Sequence, residues 1–544
     1  MKKTLFAALA LGVPMLLSAQ SAVDAYTLSQ TELRGTARFM SMGGAFTALG
    51  GDLSTLSQNP AGIGVYRRSE IGATLDISPR SIKAATSTND FKTNKTKVNC
   101  NNFGYVGTAR LDGALRTFNW GVTYNRVASF DRVFHAYNGG PTHSSLSNYI
   151  ASFTGNTPEA DLNFGYSDAS STPSYNPYLD GTADWLSILA YNSYMINPDG
   201  QGGYQGLSNN STNGDADSQV HEKGYVDEYA IDFGGNVNNV VMWGIGFGIT
   251  DLNFHRTTYY SESMENATVP YDNGSGSSAG QLVNGNAGFQ LDNYQSINGT
   301  GFNLKLGVIL RPINELRIGF AVHTPTWYSL SQSSYATTGF SYLNPNAPET
   351  DHNPLQGNEE TDNSYYNFHM TSPWKLMFGA AAVIGNQAIV SLDYERQAYG
   401  NTKVSYQDQY GNYVSDDNVN DDTKNYFKAA NILRAGIEYR VTPQLSLRAG
   451  YNYTSATSKD EVLDGKTEVY TAGMNPAYTL NRTTNAISLG LGYRFSQFYI
   501  DAAYVYRNRK STYFAYTPYN GIQTPKADLT ENTNSIVLSV GVKF

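Results

Sequence analysis

From Ile71 to the C-terminal Phe544, apolar residues recur at every second position in short runs, and the runs are separated by connections that alternate between a few residues and several tens. Period two marks a strand with one face in an apolar medium. The clearest run is the last: Ile536, Leu538, Val540, Val542 and Phe544 share one face, and Ser535, Ser539, Gly541 and Lys543 the other. The apolar set suits lipid and the small polar set a lumen.

Upstream runs form hairpins. Phe498 to Tyr504 pairs across Ser496-Gln497 with Ile487 to Tyr493, and Leu445 to Tyr453 pairs across residues 441–444 with Leu433 to Tyr439. Ala388 to Tyr394 joins Trp374 to Ala380, Leu316 to Val322 joins Leu304 to Val308, and Ile245 to Ile249 joins Tyr229 to Phe233. Residues 117–127, with Trp120, Val122 and Tyr124, form the third strand, Phe103 to Ala109 the second, and Ile71 to Ile77 the first. The tally is fourteen, an even number as single-chain bacterial barrels require. The fold class is all-β: a transmembrane antiparallel up-and-down β-barrel. Tyrosines near the strand ends suit the headgroup level.

Long connections at residues 79–102, 128–224, 251–298, 329–370, 399–428, 455–484 and 509–532 are rich in Asn, Ser, Gly, Asp and Tyr, and are expected to be solvated outer loops. Both chain ends then lie on the periplasmic side. Residues 128–224, the largest loop, carry Leu146, Tyr149, Ile150 and Phe153 at helical spacing, and then Trp185, Leu186, Ile188 and Leu189. Two short amphipathic helices are expected. They either pack on each other to close the loop or form a greasy, outward-facing ligand-binding vestibule.

Composition narrows the class further. The net charge of -9 and pI of 5.3 argue against nucleic acid as a partner. The mean hydropathy of -0.40 conceals the lipid face because strands alternate sides. The one long apolar run is N-terminal: Lys2-Lys3, an apolar stretch over residues 4–17, then Ser18-Ala19, which reads as a signal peptide over residues 1–19 for export to the outer membrane. Cys100 is the only cysteine, so no intrachain disulfide forms, and no lipoprotein anchor is expected.

Residues 20–66 do not alternate. They contain Arg34-Gly35-Thr36-Ala37, Gly43-Gly44-Ala45, Asp52 and Asn59-Pro60-Ala61-Gly62, a density of small residues that permits close packing against surrounding walls. A barrel of fourteen strands leaks unless filled, so this segment is expected inside residues 67–544 as a plug. This ordered set, with the strand count and terminal Phe544, resembles the hatch and barrel of the FadL/TodX outer-membrane transport family. The resemblance implies passive uptake of hydrophobic compounds, such as long-chain fatty acids or aromatic hydrocarbons. Ligand would be caught by outer loops and released sideways through a wall opening at a kink in the third strand. It places Asn59, Pro60 and Ala61 at that exit, and Gly121 is the residue that permits a kink. It also implies a monomer in contact with outer-membrane lipid and lipopolysaccharide, assembled through recognition of Phe544, with no cofactor.

Other chemistry is weaker. Gly276-Ser277-Ser278-Ala279-Gly280 matches a nucleophile-elbow string but follows no apolar strand. Asp416, Asn418 and Asn420 echo a calcium loop whose glycine is replaced by Asp421. The seven histidines have no ligand spacing, and neither a catalytic residue nor a metal site is expected. Alternatives are an accessory barrel of protein secretion on the same fold, or a haem receptor.

Overall fold

The structure is a computed structural model that describes residues 21–139, 144–166, 173–271, 281–347, 353–385, 387–408, 410–471, 474–520 and 522–544. The expected signal peptide, the string from Gly276 to Gly280, and His143 and His352 lie outside these residues.

Fourteen strands close on themselves. They are β1 Glu70–Ala85, β2 Asp90–Arg110, β3 Leu115–Ser129, β4 Asn213–Val237, β5 Val241–Tyr271, β6 Gln281–Leu310 and β7 Leu316–His323. β8 Lys375–Ile384, β9 Ala388–Ala398, β10 Ala429–Arg440, β11 Leu445–Thr454, β12 Tyr478–Phe495, β13 Phe498–Phe514 and β14 Lys526–Lys543 complete the ring. Each pairs antiparallel with the next, and β14 returns to β1 from Glu70↔Lys543 to Ala85↔Asp528, so the ring closes on itself. The apolar face found by periodicity points outward: Ile71, Trp120, Ile231, Phe247, Leu306, Phe378, Leu392, Ile437, Leu489, Ile500 and Leu538 are all exposed.

A row of hydroxyls fixes the outer rim. Tyr394 donates to Asn431 at 2.8 Å, Tyr451 to Asn485 at 2.7 Å, Tyr504 to Asn534 at 2.7 Å and Tyr506 to Asn532 at 2.8 Å, each across adjacent strands. Such rings belong where lipid gives way to water.

The long connections differ from the expectation of solvated loops. Residues 251–271 and 281–298 stay in strands, with β5 and β6 paired from Val241↔Leu310 to Tyr271↔Gln281 and one irregularity between Met264 and Ala267. Arg132–Asn138 likewise continues along β4, and Trp327–Leu343 continues along β6. The physical reason is a change of phase. Below Thr250 the apolar residues Trp243, Phe247 and Ile249 face lipid; above it Leu252, Phe254, Tyr260 and Met264 face inward and polar residues face out. Period two persists while its apolar face switches sides, so a search for the lipid face ends each strand too early.

The tube is filled along its length by residues 21–69 and by the outer helices. Ala22–Ser29, capped by Ser21, stands high in the lumen, where Tyr26 stacks on Phe427 at 4.2 Å amid Leu252, Phe254, Tyr328 and Phe514. Lower down, Ala37–Ser41 brings Phe39 and Met40 against Ala486, Ala503, Val505 and Val537. Thr55–Gln58 and the 3-10 turn Pro60–Val65 close the periplasmic end, with Leu56, Ile63 and Tyr66 against Val106.

Wall glycines make the seat for this plug. A Cβ on Gly244 would lie 2.2 Å from the Pro60 backbone, and one on Gly450 would lie 2.2 Å from the Gly43 nitrogen. Strand glycines permit this close backbone approach.

Candidate functional site

The expected outer helices form and meet. Leu146–Thr154 is capped by Ser145 and Trp185–Asn192 by Asp184, and the Thr154 and Ser187 hydroxyls join them at 2.7 Å. Leu146, Tyr149, Ile150, Leu186 and Leu189 are buried in one apolar core with Tyr260, Met264, Phe289, Phe340 and Tyr513, which all point into the extended tube. Ile188 is buried beside Leu162 and Tyr178. Phe153 remains 39% exposed, and Trp185 is half-buried against the Tyr178 ring at 4.9 Å. The helices cork the outer mouth.

Glu262, in the extension of β5 above the lipid, anchors that cork. It accepts from the Leu146 backbone N–H at 2.8 Å, from the Tyr260 hydroxyl at 2.5 Å and from the Ser145 hydroxyl. Burial raises its carboxyl to about 7 despite these donors.

At the other end, Asn59 locks the plug. Its amide donates to Thr47 O at 2.6 Å, its carbonyl accepts from the Ala61 N–H at 3.0 Å, and it lies over Gly307 of β6. Pro60 and Ala61 sit against Gly244 of β5. Gly121 faces the lumen beside Leu56 and Ile63, and is in register with Val106 on one side and Asp232 on the other. These residues therefore share the periplasmic half of the lumen. The third strand parts from the second further out, where the β2–β3 ladder ends at Asn102↔Asn125. There Arg126 bridges Asp227 at 2.7 Å and Asn99 at 3.0 Å.

Between the lower and upper apolar layers lies a cavity of about 130 Å³, with Leu33, Phe39, Val127 and Met377 among its lining residues. Charged side chains share the lining, and most are paired: Lys305 with Glu228, Arg434 with Glu395, and Arg34 with Glu32 at 2.8 Å. Lys375 lines the cavity with no ion pair among the described residues. His323 donates to Gln58 O at 2.8 Å, tying β7 to the plug. Sequence periodicity passed over this interior set. The available signal was a charge between two lipid-facing residues, as with Lys305 between Leu304 and Leu306.

The calcium-like string has a structural role: Asp416 caps the helix Asp417–Tyr426, and Asn420 accepts from the Val404 N–H at 2.7 Å. Among the described residues, no group of three or more His, Cys, Asp or Glu side chains could hold a metal.

A closed barrel with a lipid-facing exterior, a seated N-terminal plug and a corked mouth defines a plugged outer-membrane β-barrel. Its fold is that of the FadL/TodX type. A FadL homologue from Pseudomonas aeruginosa is 13% identical over 94% of this chain and 99% of its own, with a TM-score of 0.50. A deltaS2 mutant of the TodX monoaromatic hydrocarbon channel is 14% identical over 94% of this chain and 100% of its own, with a TM-score of 0.52. The OmpA-like transmembrane domain family matches residues 381–498, a stretch of the same wall. No curated protein sequence matches the chain.

Proposed function

We propose that this chain is a passive outer-membrane transporter of hydrophobic compounds, either aromatic hydrocarbons or long-chain fatty acids. The observation that carries the reading is the filled lumen: apolar cores and a seated plug occupy the axis, an arrangement suited to apolar solutes rather than bulk aqueous diffusion. Phe153 and Trp185 are the first contacts for a solute arriving from outside, and loosening of the core around Leu146, Tyr149, Ile150, Leu186, Ile188 and Leu189 admits it. The inner cavity, about 130 Å³, sets the apolar side chains Leu33, Phe39, Val127 and Met377 beside charged ones, a lining suited to a solute with an apolar body and a polar end. Lys375 supplies a cation for a carboxylate head. Release is sideways, with Asn59, Pro60 and Ala61 holding the plug shut below and the third strand, which contains Gly121, forming the exit wall. The protein acts as a monomer, and Phe544 is its assembly signal. The FadL and TodX names of the structural neighbours point the same way.

The test is purification in mild detergent, mass spectrometry of retained small molecules, and uptake of labelled toluene and oleate by cells with and without the gene. Retained apolar compound and reduced uptake in the deletion support the reading. An empty lumen with unchanged uptake overturns it.

A further inference from the structure

The wall has a seam that the closed ladder does not seal. β7 ends at His323 and the chain resumes as strand at Trp327; across from it, strand Ser364–Thr371 gives way to β8 at Lys375. Register on both sides, His323↔Lys375 and Trp327↔Thr371, places Pro325 opposite Pro373 and Thr326 opposite Ser372. Neither proline can donate a ladder hydrogen bond, and proline is ordinarily excluded from interior strands for that reason. The gap is held by Ser372 N–H to Thr326 O at 3.0 Å and by Thr326 N–H to the Ser372 hydroxyl at 2.8 Å, so a side chain replaces a backbone acceptor.

The flank toward β9 is more open still. β8 pairs with β9 up to Lys375↔Gln397, and the next pairing begins at Thr371↔Lys403, so residues 372–374 have no ladder partner on that side. An outward niche of about 500 Å³ occupies the place, lined below by Pro325, Pro373 and Trp374 and above by Lys403 and Asp417. Trp374 is 52% exposed and continues the lipid-facing band of Leu376 and Phe378. Ser372 lines both this niche and the inner cavity. One residue separates lipid-level space from the lumen.

We propose that this double-proline seam is a portal through which a small apolar solute dissolved in the outer leaflet exchanges with the inner cavity. The inference deepens the transport reading and rests on it, and adds a wall site remote from the third strand. The occupant follows from the niche itself, whose floor is apolar and continuous with the lipid-facing band and whose polar roof lies at headgroup height. Parting Thr326 from Ser372 breaks two hydrogen bonds, whereas parting a regular strand pair breaks a longer ladder.

The test uses the full chain in phosphatidylcholine vesicles on a Cys100→Ser background, because Cys100 is exposed. Ser372→Cys is compared with Ser391→Cys, a fully buried lumen-facing position on β9. The probe is N-phenylmaleimide, an apolar aromatic reagent that partitions into the bilayer. Ser372→Cys is expected to react at least about tenfold faster than Ser391→Cys, and faster with this probe than with a sulfonated, water-bound maleimide. Equal rates at the two positions, or a preference for the sulfonated reagent at position 372, would overturn the portal. The transport reading fails by a different result: no retained apolar compound and no toluene uptake, whatever the reactivity at position 372.

Discussion

Arg38 of the plug and Glu438 of β10 meet at two points, Nε to Oε2 at 2.9 Å and Nη2 to Oε1 at 3.1 Å. Arg448 then joins Glu438 at 2.6 Å to Asp501 at 2.5 Å, so two cations and two anions close a neutral chain between plug and wall. Replacing Arg38 by Met leaves one buried carboxylate in excess, a loss of about 3–5 kcal/mol when a buried pair is broken. The expected outcome is a barrel that keeps its heat-resistant gel mobility while its plug is cut by trypsin and its single-channel conductance rises. Wild-type conductance with a protected plug would refute the clamp.

The glycine seat predicts a steric route to the same loosening. Gly244→Val pushes a side chain into the Pro60 backbone, whereas a Cβ at Gly288 meets nothing closer than 3.9 Å. Cells carrying Gly244→Val should become sensitive to a large hydrophilic antibiotic, and cells carrying Gly288→Ala should not. Equal sensitivity of the two variants would show that contact at Gly244 does not seat the plug.

Stability of the outer cork should fall as pH rises. Glu262 holds its proton to about 7, above the unfolded value of 4.5, so the folded cork binds more protons than the unfolded chain. Its stability is complete below about pH 4 and declines as pH climbs to about 7. Hydrogen exchange of residues 144–166, corrected for intrinsic rate, should show less protection at pH 8 than at pH 5. Glu262→Gln should flatten most of that dependence, and unchanged protection across the range in the parent chain would contradict the assignment.

The two faces of the outer helices should separate stability from capture. Leu189→Ala removes a fully buried side chain from the core and should cost about 2–5 kcal/mol in cork stability, read as faster exchange of both helices. Phe153→Ala, at an exposed position, should change exchange by little, within about 0.5 kcal/mol, while lowering toluene uptake. A Phe153→Ala variant with full uptake would remove that residue from the capture surface.

The barrel and the order of its strands were legible in the chain because lipid imposes one unvarying rule on every spanning strand: apolar residues outward at period two. Phe544, the runs at Ile536 to Val542 and Leu433 to Tyr439, and the two helices at Leu146 and Trp185 all follow from local pattern. The plug was legible from its failure to alternate and from its small residues. The wall extension beyond Thr250 was not, since there the apolar face turns inward and the periodicity alone does not say which medium lies on which side. Nor was the clamp between plug and wall, because Arg38 lies some four hundred residues from Glu438 and meets the Glu438–Arg448 hairpin pair only when the plug is seated in the closed ring. Pro325 and Pro373 show the same division. Each proline by itself announces a local break; that the two breaks face each other, with a cavity behind Ser372 and lipid in front, depends on a register between strands some fifty residues apart. Lipid contact is a property of single residues and can be written into local pattern, whereas opposition across a wall is a property of pairs and exists only in the closed barrel.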